Sequence, residues 1–139
     1  MEQEFSKQLK NTTKIGDLGE SLACAYLEQQ GFNILARNYK KKFGEIDIIA
    51  RKASKIHFVE VKTVTHETKL SLEWSVTHET WRPEELVHKF KLHQIEKVIE
   101  TWLAENEWAG DWQVDVLALR IVPRETYANV NYLENVTRD

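Results

Sequence analysis

The sequence predicts an α/β fold whose elements run helix, three strands, helix, strand. Three observations carry this prediction. Apolar residues recur at helical spacing over residues 15–30 and again over 83–105, three short β-like runs lie between those segments, and a last run over 112–122 ends at Pro123. With 139 residues, 42% hydrophobic and five Trp, the chain can bury one sizeable core and is short for two, so a single domain over 1–139 is expected.

In the first helix Ile15, Leu18, Leu22, Ala23, Tyr26 and Leu27 share one side, and Gly31 stands where a left-handed residue would end it. "FNILARNY" reads as the first strand and leads into a basic turn, "KKKFG", at 40–44. "EIDIIA" and "IHFVEVK", joined by "RKASK", read as a tight hairpin. Residues 63–83 are irregular and contain "VTHET" at 64–68 and again at 76–80. A single repeat of five residues cannot build stacked units, so this segment is read as an enlarged loop. Pro83, Glu84 and Glu85 suit the start of the second helix, because proline is tolerated and acids are favoured in a first turn. "WQVDVLALRIV" is the closing strand. The core thus spans about 15–122, and 1–12 and 125–139 are expected to be tails.

The overall charge narrows the function. Nineteen Lys plus Arg against 22 Asp plus Glu leave a formal charge of −3, so no global basic field gathers polyanions and any nucleic-acid role must rest on a local site. The single cysteine, Cys24, excludes an intramolecular disulfide and fits a reducing compartment. No run approaches the roughly 18 apolar residues of a membrane span, and the first 14 residues lack the apolar centre of a secretion signal. A cytoplasmic protein without a membrane partner is the expectation.

The hairpin carries the chemistry. With a two-residue turn at Ala53 and Ser54, Asp47 faces Glu60 and Glu45 faces Lys62, all four on one side with Ile49 and Phe58. The other side then holds Ile46, Ile48, Ala50, His57, Val59 and Val61. A hairpin wet on one face should alternate cleanly, whereas this one is apolar on both faces and gathers four ionisable groups at one end. Opposed β-carbons lie about 4.5–5.5 Å apart, so two carboxylates there repel unless a cation lies between them. Two carboxylates and a backbone carbonyl are the hard oxygen donors that Mg²⁺ accepts. The plainer reading is a cross-strand ion pair between Glu45 and Lys62 beside a solvated rim. Two remote residues weigh against it: Glu20 borders the apolar arc of the first helix, and Lys91 falls inside the stripe of Ile95, Val98, Ile99 and Trp102.

"GDLGESLACAYLEQQGFNILARNY", "GEIDIIA", "HFVEVK", Lys91 and "VDVLAL", in that order and spacing, resemble the YraN-like family of uncharacterised bacterial proteins, a branch of the PD-(D/E)XK nuclease superfamily. The resemblance covers about residues 15–121. It implies a restriction-endonuclease-like α-β-β-β-α-β core with a central mixed sheet flanked by helices. It also implies Mg²⁺ or Mn²⁺ on Asp47 and Glu60 with the Val61 carbonyl, catalytic roles for Lys62 and Glu20, a substrate or supporting role for Lys91, and a structural role for Asp115. Glu45 remains open between a water-holding acid and a partner for Lys62. After Lys62 the family usually continues with an arginine and a short Phe-Gly loop; here "TVTHETKLSLEWSVTHETWRPEEL" is longer, which leaves the substrate open.

The implied activity is metal-dependent hydrolysis of phosphodiester bonds, in DNA (branched or single-stranded) ahead of RNA. A rival reading is a non-catalytic nucleic-acid-binding module, with Lys40, Lys41 and Lys42 contacting phosphates and Trp74 and Trp81 offering stacking surface. A third reading places zinc on His66 and His78 with His88 or His93. A homodimer through the long loop is left open.

Overall fold

The computed structural model describes residues 2–4, 15–78, 89–125 and 127–136, with side chains over 16–77, 95–125 and 127–136. Its elements are β1 (Glu2–Glu4), α1 (Ile15–Gln29), β2 (Asn33–Lys41), β3 (Gly44–Lys52), β4 (Lys55–Thr65), α2 (Lys69–His78), α3 (Lys89–Glu105), β5 (Asp111–Val122) and β6 (Tyr127–Leu133). The strands form one sheet in the order β1-β6-β5-β4-β3-β2. β4 and β5 run parallel and every other neighbouring pair is antiparallel, so the sheet is mixed. A parallel pair needs a long crossover, and the segment carrying α2 and α3 supplies it.

α1 ends as its sequence requires. Gly31 takes φ +94°, its N–H donates to the Glu28 carbonyl, and Phe32 N–H donates to the Leu27 carbonyl at 3.0 Å. These bonds satisfy carbonyls that the helix end would leave bare. The apolar side of α1 (Leu18, Leu22, Ala23, Leu27) packs on Ile48, Ala50, Val59, Leu117, Leu119 and Val130. On the opposite side of the sheet Ile95, Val98, Ile99 and Trp102 of α3 pack on Ile46, Ile49, Ile56, Phe58 and Val114. The sheet is therefore covered on both sides, which is why β5 is buried from Gln113 through Val122.

Three expectations need correction. The last residues are not a tail: β6 pairs with β5 from Val122↔Tyr127 to Val116↔Leu133, and β1 adds to β6. β-branched and aromatic residues in "YANVNYL" supply the apolar side that this pairing buries. Residues 63–78 are not a loop either, since β4 continues to Thr65 and α2 occupies Lys69–His78, anchored by Leu72 against Val122 and Tyr127. The start read at Pro83 lies outside the described residues; α3 is described from Lys89.

The third correction concerns the faces of β3. Its register with β4 is the expected one, Ile48↔Val59, Ile49↔Phe58 and Ala50↔His57, with Ala53 in the turn at φ +55°. Ile46, however, joins Ile49 and Phe58 under α3 instead of Ile48 and Ala50 under α1. The neighbouring strand explains the switch. Asn38 adopts φ +52° between the pairs Arg37↔Ile48 and Tyr39↔Ile46, and Tyr39 also packs on the α3 side. A left-handed residue breaks the two-residue alternation, so both strands change face at Asn38 and Asp47.

Candidate metal and nuclease site

Asp47 sits at this break. The recorded β3–β4 pairs stop at Ile48↔Val59, and beyond them the Val61 N–H donates to Asp47 Oδ2 at 2.8 Å. An Asp side chain thus takes the bond that a strand partner would otherwise accept. The geometry fixes the carboxylate against β4, next to Glu60. Glu60 is only 7% exposed, and its Oε1 lies 3.4 Å from Lys62 Nζ.

Burial, and then the nearby Glu60 carboxylate, push the Asp47 carboxyl up to about 7, while the Val61 N–H pulls against them. Glu20 and Glu45 raise it further. Five of the expected residues, Glu20, Glu45, Asp47, Glu60 and Lys62, therefore lie in one electrostatic neighbourhood, and Val61 is bonded directly to it. Glu20 reaches it from α1. Its own carboxyl is raised by burial, opposed by a side-chain bond from Asn38 and by Arg37, whose Nη2 is 3.9 Å from Glu20 Oε1. The close approach of α1 to β4 is set at Gly19, where an added Cβ would fall 2.2 Å from Thr63 Oγ1.

Glu45, though in this neighbourhood, is exposed and stands opposite Lys40 of β2, because the β3–β4 ladder has ended before it. Other assignments separate from this neighbourhood. Lys41 is committed elsewhere, to Glu105 Oε2 at 2.9 Å and to the Tyr39 ring, and the Tyr39 hydroxyl donates to the other Glu105 oxygen. Lys40 and Lys42 are exposed. Lys91 lies in the first turn of α3, and its side chain is outside the described ones. Trp74 is 56% exposed on α2, and Trp81 lies outside the described residues. For the histidine reading, His66 Nε2 lies 3.2 Å from Arg120 Nη1, and the side chains of His78, His88 and His93 are outside the described ones.

A contrasting buried acid lies on the α1 side of the sheet. Asp115 is fully buried and accepts from Gln113 Nε2 at 2.8 Å, the Asn135 N–H at 2.9 Å and the Tyr132 hydroxyl, with His57 Nδ1 2.7 Å from its Oδ2. Burial alone would raise its carboxyl, but His57, Tyr132, Asn135 and Gln113 outweigh burial and hold it below the usual range. Asp115 is thus a satisfied anion. Among the described residues, the group of three or more ligating side chains with all donor atoms within 4.8 Å of one another is His57, Asp115 and Glu134. Sequence reasoning missed it because Glu134 was placed in a tail, and His57 was read only as a residue of an apolar face.

The three-layer arrangement, with one mixed sheet between α1 on one side and α3 on the other, defines an α/β protein with a restriction-endonuclease-like core. The family model described as "Uncharacterised protein family UPF0102" matches residues 19–119, and the chain belongs to this family, the YraN-like one. A UPF0102 protein of Campylobacter jejuni (strain 81-176) is 39% identical over 105 residues, covering 76% of this chain and 82% of the relative. One from Dictyoglomus turgidum is 35% identical over 126 residues, covering 90% and 98%. Another, from Campylobacter fetus, is 32% identical over 122 residues, covering 88% and 92%. No helix among the described residues is long and apolar enough to cross a membrane.

Proposed function

We propose that the protein is a nuclease dependent on Mg²⁺ or Mn²⁺ that hydrolyses phosphodiester bonds of nucleic acid, DNA in branched or single-stranded form ahead of RNA. The observation that carries this reading is Asp47. It is a half-buried carboxylate that, among the described residues, accepts the Val61 N–H and is set against the buried Glu60 carboxylate. The donor set fits a hard divalent ion: carboxylate oxygens from Asp47 and Glu60 and the carbonyl of Val61, with room required for water and a phosphate oxygen.

When bound, the ion lowers the pKa of a water molecule and neutralises charge on the scissile phosphate. The chain's own residues do the rest. Lys62 follows Glu60 on the same side of β4, where its ammonium can orient the attacking water or balance the charge that develops on the phosphoryl oxygens. Glu20, held at the site by Arg37 and Asn38, has a carboxyl raised by burial and is suited to taking a proton from water. In this reading Glu45 and Lys91 act as supporting groups near the substrate, and the exposed Lys40 and Lys42 contact phosphates.

The rival, a binding module on the same fold, predicts retention of labelled DNA without product. A gel-shift assay in Ca²⁺ run beside a cleavage assay in Mg²⁺ or Mn²⁺, on a four-way junction, a flap, a single strand and an RNA, separates the two. The nuclease reading expects a shift in Ca²⁺ and cut product in Mg²⁺. Shift in both ions with no product in either would leave only the binding module.

A further inference from the structure

We infer that His57, Asp115 and Glu134 form a second cation site, selective for Zn²⁺, on the side of the sheet facing α1. Three separate segments converge there: β4 supplies His57, β5 supplies Asp115, and the stretch after β6 supplies Glu134. Their donor atoms lie within 4.8 Å of one another. An open hollow of about 410 Å³ is lined by His57 and Glu134 together with Gln113, Lys52, Ser54 and Lys55, while Asp115 is fully buried beside His57. An ion and its water ligand therefore have an approach from the side of His57 and Glu134.

The donor chemistry selects the ion. One imidazole nitrogen and two carboxylates form a nitrogen and oxygen set that zinc takes in four-coordinate sites, the fourth position going to water. Mg²⁺ prefers oxygen alone and holds its waters, so it gains little from His57. Two lysines line the hollow, although Lys55 Nζ is bonded to Gln113 Oε1 at 3.1 Å and Lys52 lies over the Phe32 ring. Their charge opposes cations in general. A selective ion must win by coordination, which again favours zinc over magnesium.

Little has to move. Ligand atoms about 2.0–2.2 Å from a tetrahedral ion stand about 3.3–3.6 Å apart. His57 Nδ1 and Asp115 Oδ2, at 2.7 Å, would separate by about 0.6–0.9 Å, with Nδ1 binding the ion and the ring proton carried on Nε2. Gln113 and Asn135 already orient Asp115 through its Oδ1, as the outer partners of metal ligands do, and the Tyr132 hydroxyl would share Oδ2 with the ion. Glu134 is exposed and would be drawn inward, tying the end of the chain to β4 and β5.

The site stands apart from the proposed nuclease centre and its test is independent of that reading. The full chain carrying Asp47→Asn and Glu60→Gln, freed of metal, is titrated with Zn²⁺ alone against a chromophoric chelator, with Mg²⁺ as a second arm. One equivalent of Zn²⁺ should bind, affinity should fall tenfold or more when Glu134→Gln is added, and Mg²⁺ should not compete. Glu134 is exposed, so that variant keeps the fold; His57→Phe, checked by circular dichroism, should lose binding as well. Zinc uptake unchanged by Glu134→Gln, or no uptake by the Asp47→Asn, Glu60→Gln protein, would overturn the assignment.

Discussion

At the scale of single residues, the buried Asp115 and the half-buried Asp47 show how hydrogen bonding decides the fate of a charge. Asp115, with its full set of partners, is held below the usual range, whereas Asp47, with one N–H and a neighbouring carboxylate, is pushed up to about 7. An unfolded aspartate titrates near 3.9, so the folded chain without metal binds the Asp47 proton more tightly than the unfolded chain does. The stabilisation from this proton is complete below about pH 4 and is lost as the pH rises through about 7. At about 1.4 kcal/mol per unit, ionised Asp47 costs the metal-free fold on the order of a few kcal/mol at pH 8. Asp47→Asn should therefore raise the metal-free melting temperature at pH 8 more than at pH 5, as differential scanning fluorimetry would show. Mg²⁺ should stabilise the wild type at pH 8 and leave the Asn variant unmoved. The pairing rule for β-strands placed Asp47 beside Glu60, but it also placed Glu45 against Lys62. The ladder ends before Glu45, because the Asp47 side chain takes the Val61 N–H.

At the scale of elements, the break in β2 and β3 sets the site. Asn38 holds φ +52°, and its side chain bonds Glu20, so one residue shapes the strand and steadies the acid arriving from α1. Asn38→Val forces a β-branched residue into the left-handed region and should cost about 1–2 kcal/mol in urea unfolding. Asn38→Gly should keep the backbone and lose only the bond to Glu20. Equal stability of the Val and Gly variants would show that the kink does not depend on this residue. Gly19→Ala probes the other side of the same junction. Its Cβ meets Thr63, and overpacking of this kind costs about 1–3 kcal/mol. α1, the body of α3 and the hairpin register were legible because periodicity and a two-residue turn specify them locally, whereas α2 was read as a loop. The change of face at Asp47 was not, since it depends on an Asn in the left-handed region, which no alternation pattern announces.

At the scale of the whole molecule, the described strands nearest the two ends, β1 and β6, belong to the sheet. β6 covers the edge of β5, Tyr132 and Asn135 reach back to Asp115, and the Val136 N–H donates to the Val114 carbonyl at 2.8 Å. Tyr132→Phe should cost about 1–3 kcal/mol, the penalty for removing one partner from a buried charge; no change in the urea midpoint would mean that the last segment is only loosely docked. This part of the fold was hidden in the sequence because "YANVNYL" is short and mixed in polarity, and its pairing with β5 is a tertiary fact. The residues of the proposed metal site could be grouped from the sequence because Asp47, Glu60 and Lys62 lie within one hairpin, while the group around Asp115 draws on β4, β5 and the segment after β6. The central claim is that Asp47 and Glu60 hold the ion for strand cleavage, and the most direct measurement is product formation from a labelled four-way junction over a Mg²⁺ titration. Wild type should cut in proportion to metal occupancy, with Asp47→Ala and Glu60→Ala folded but inactive and Lys62→Ala at least about a hundredfold slower. Equal cleavage by the wild type and both acid variants would contradict the account.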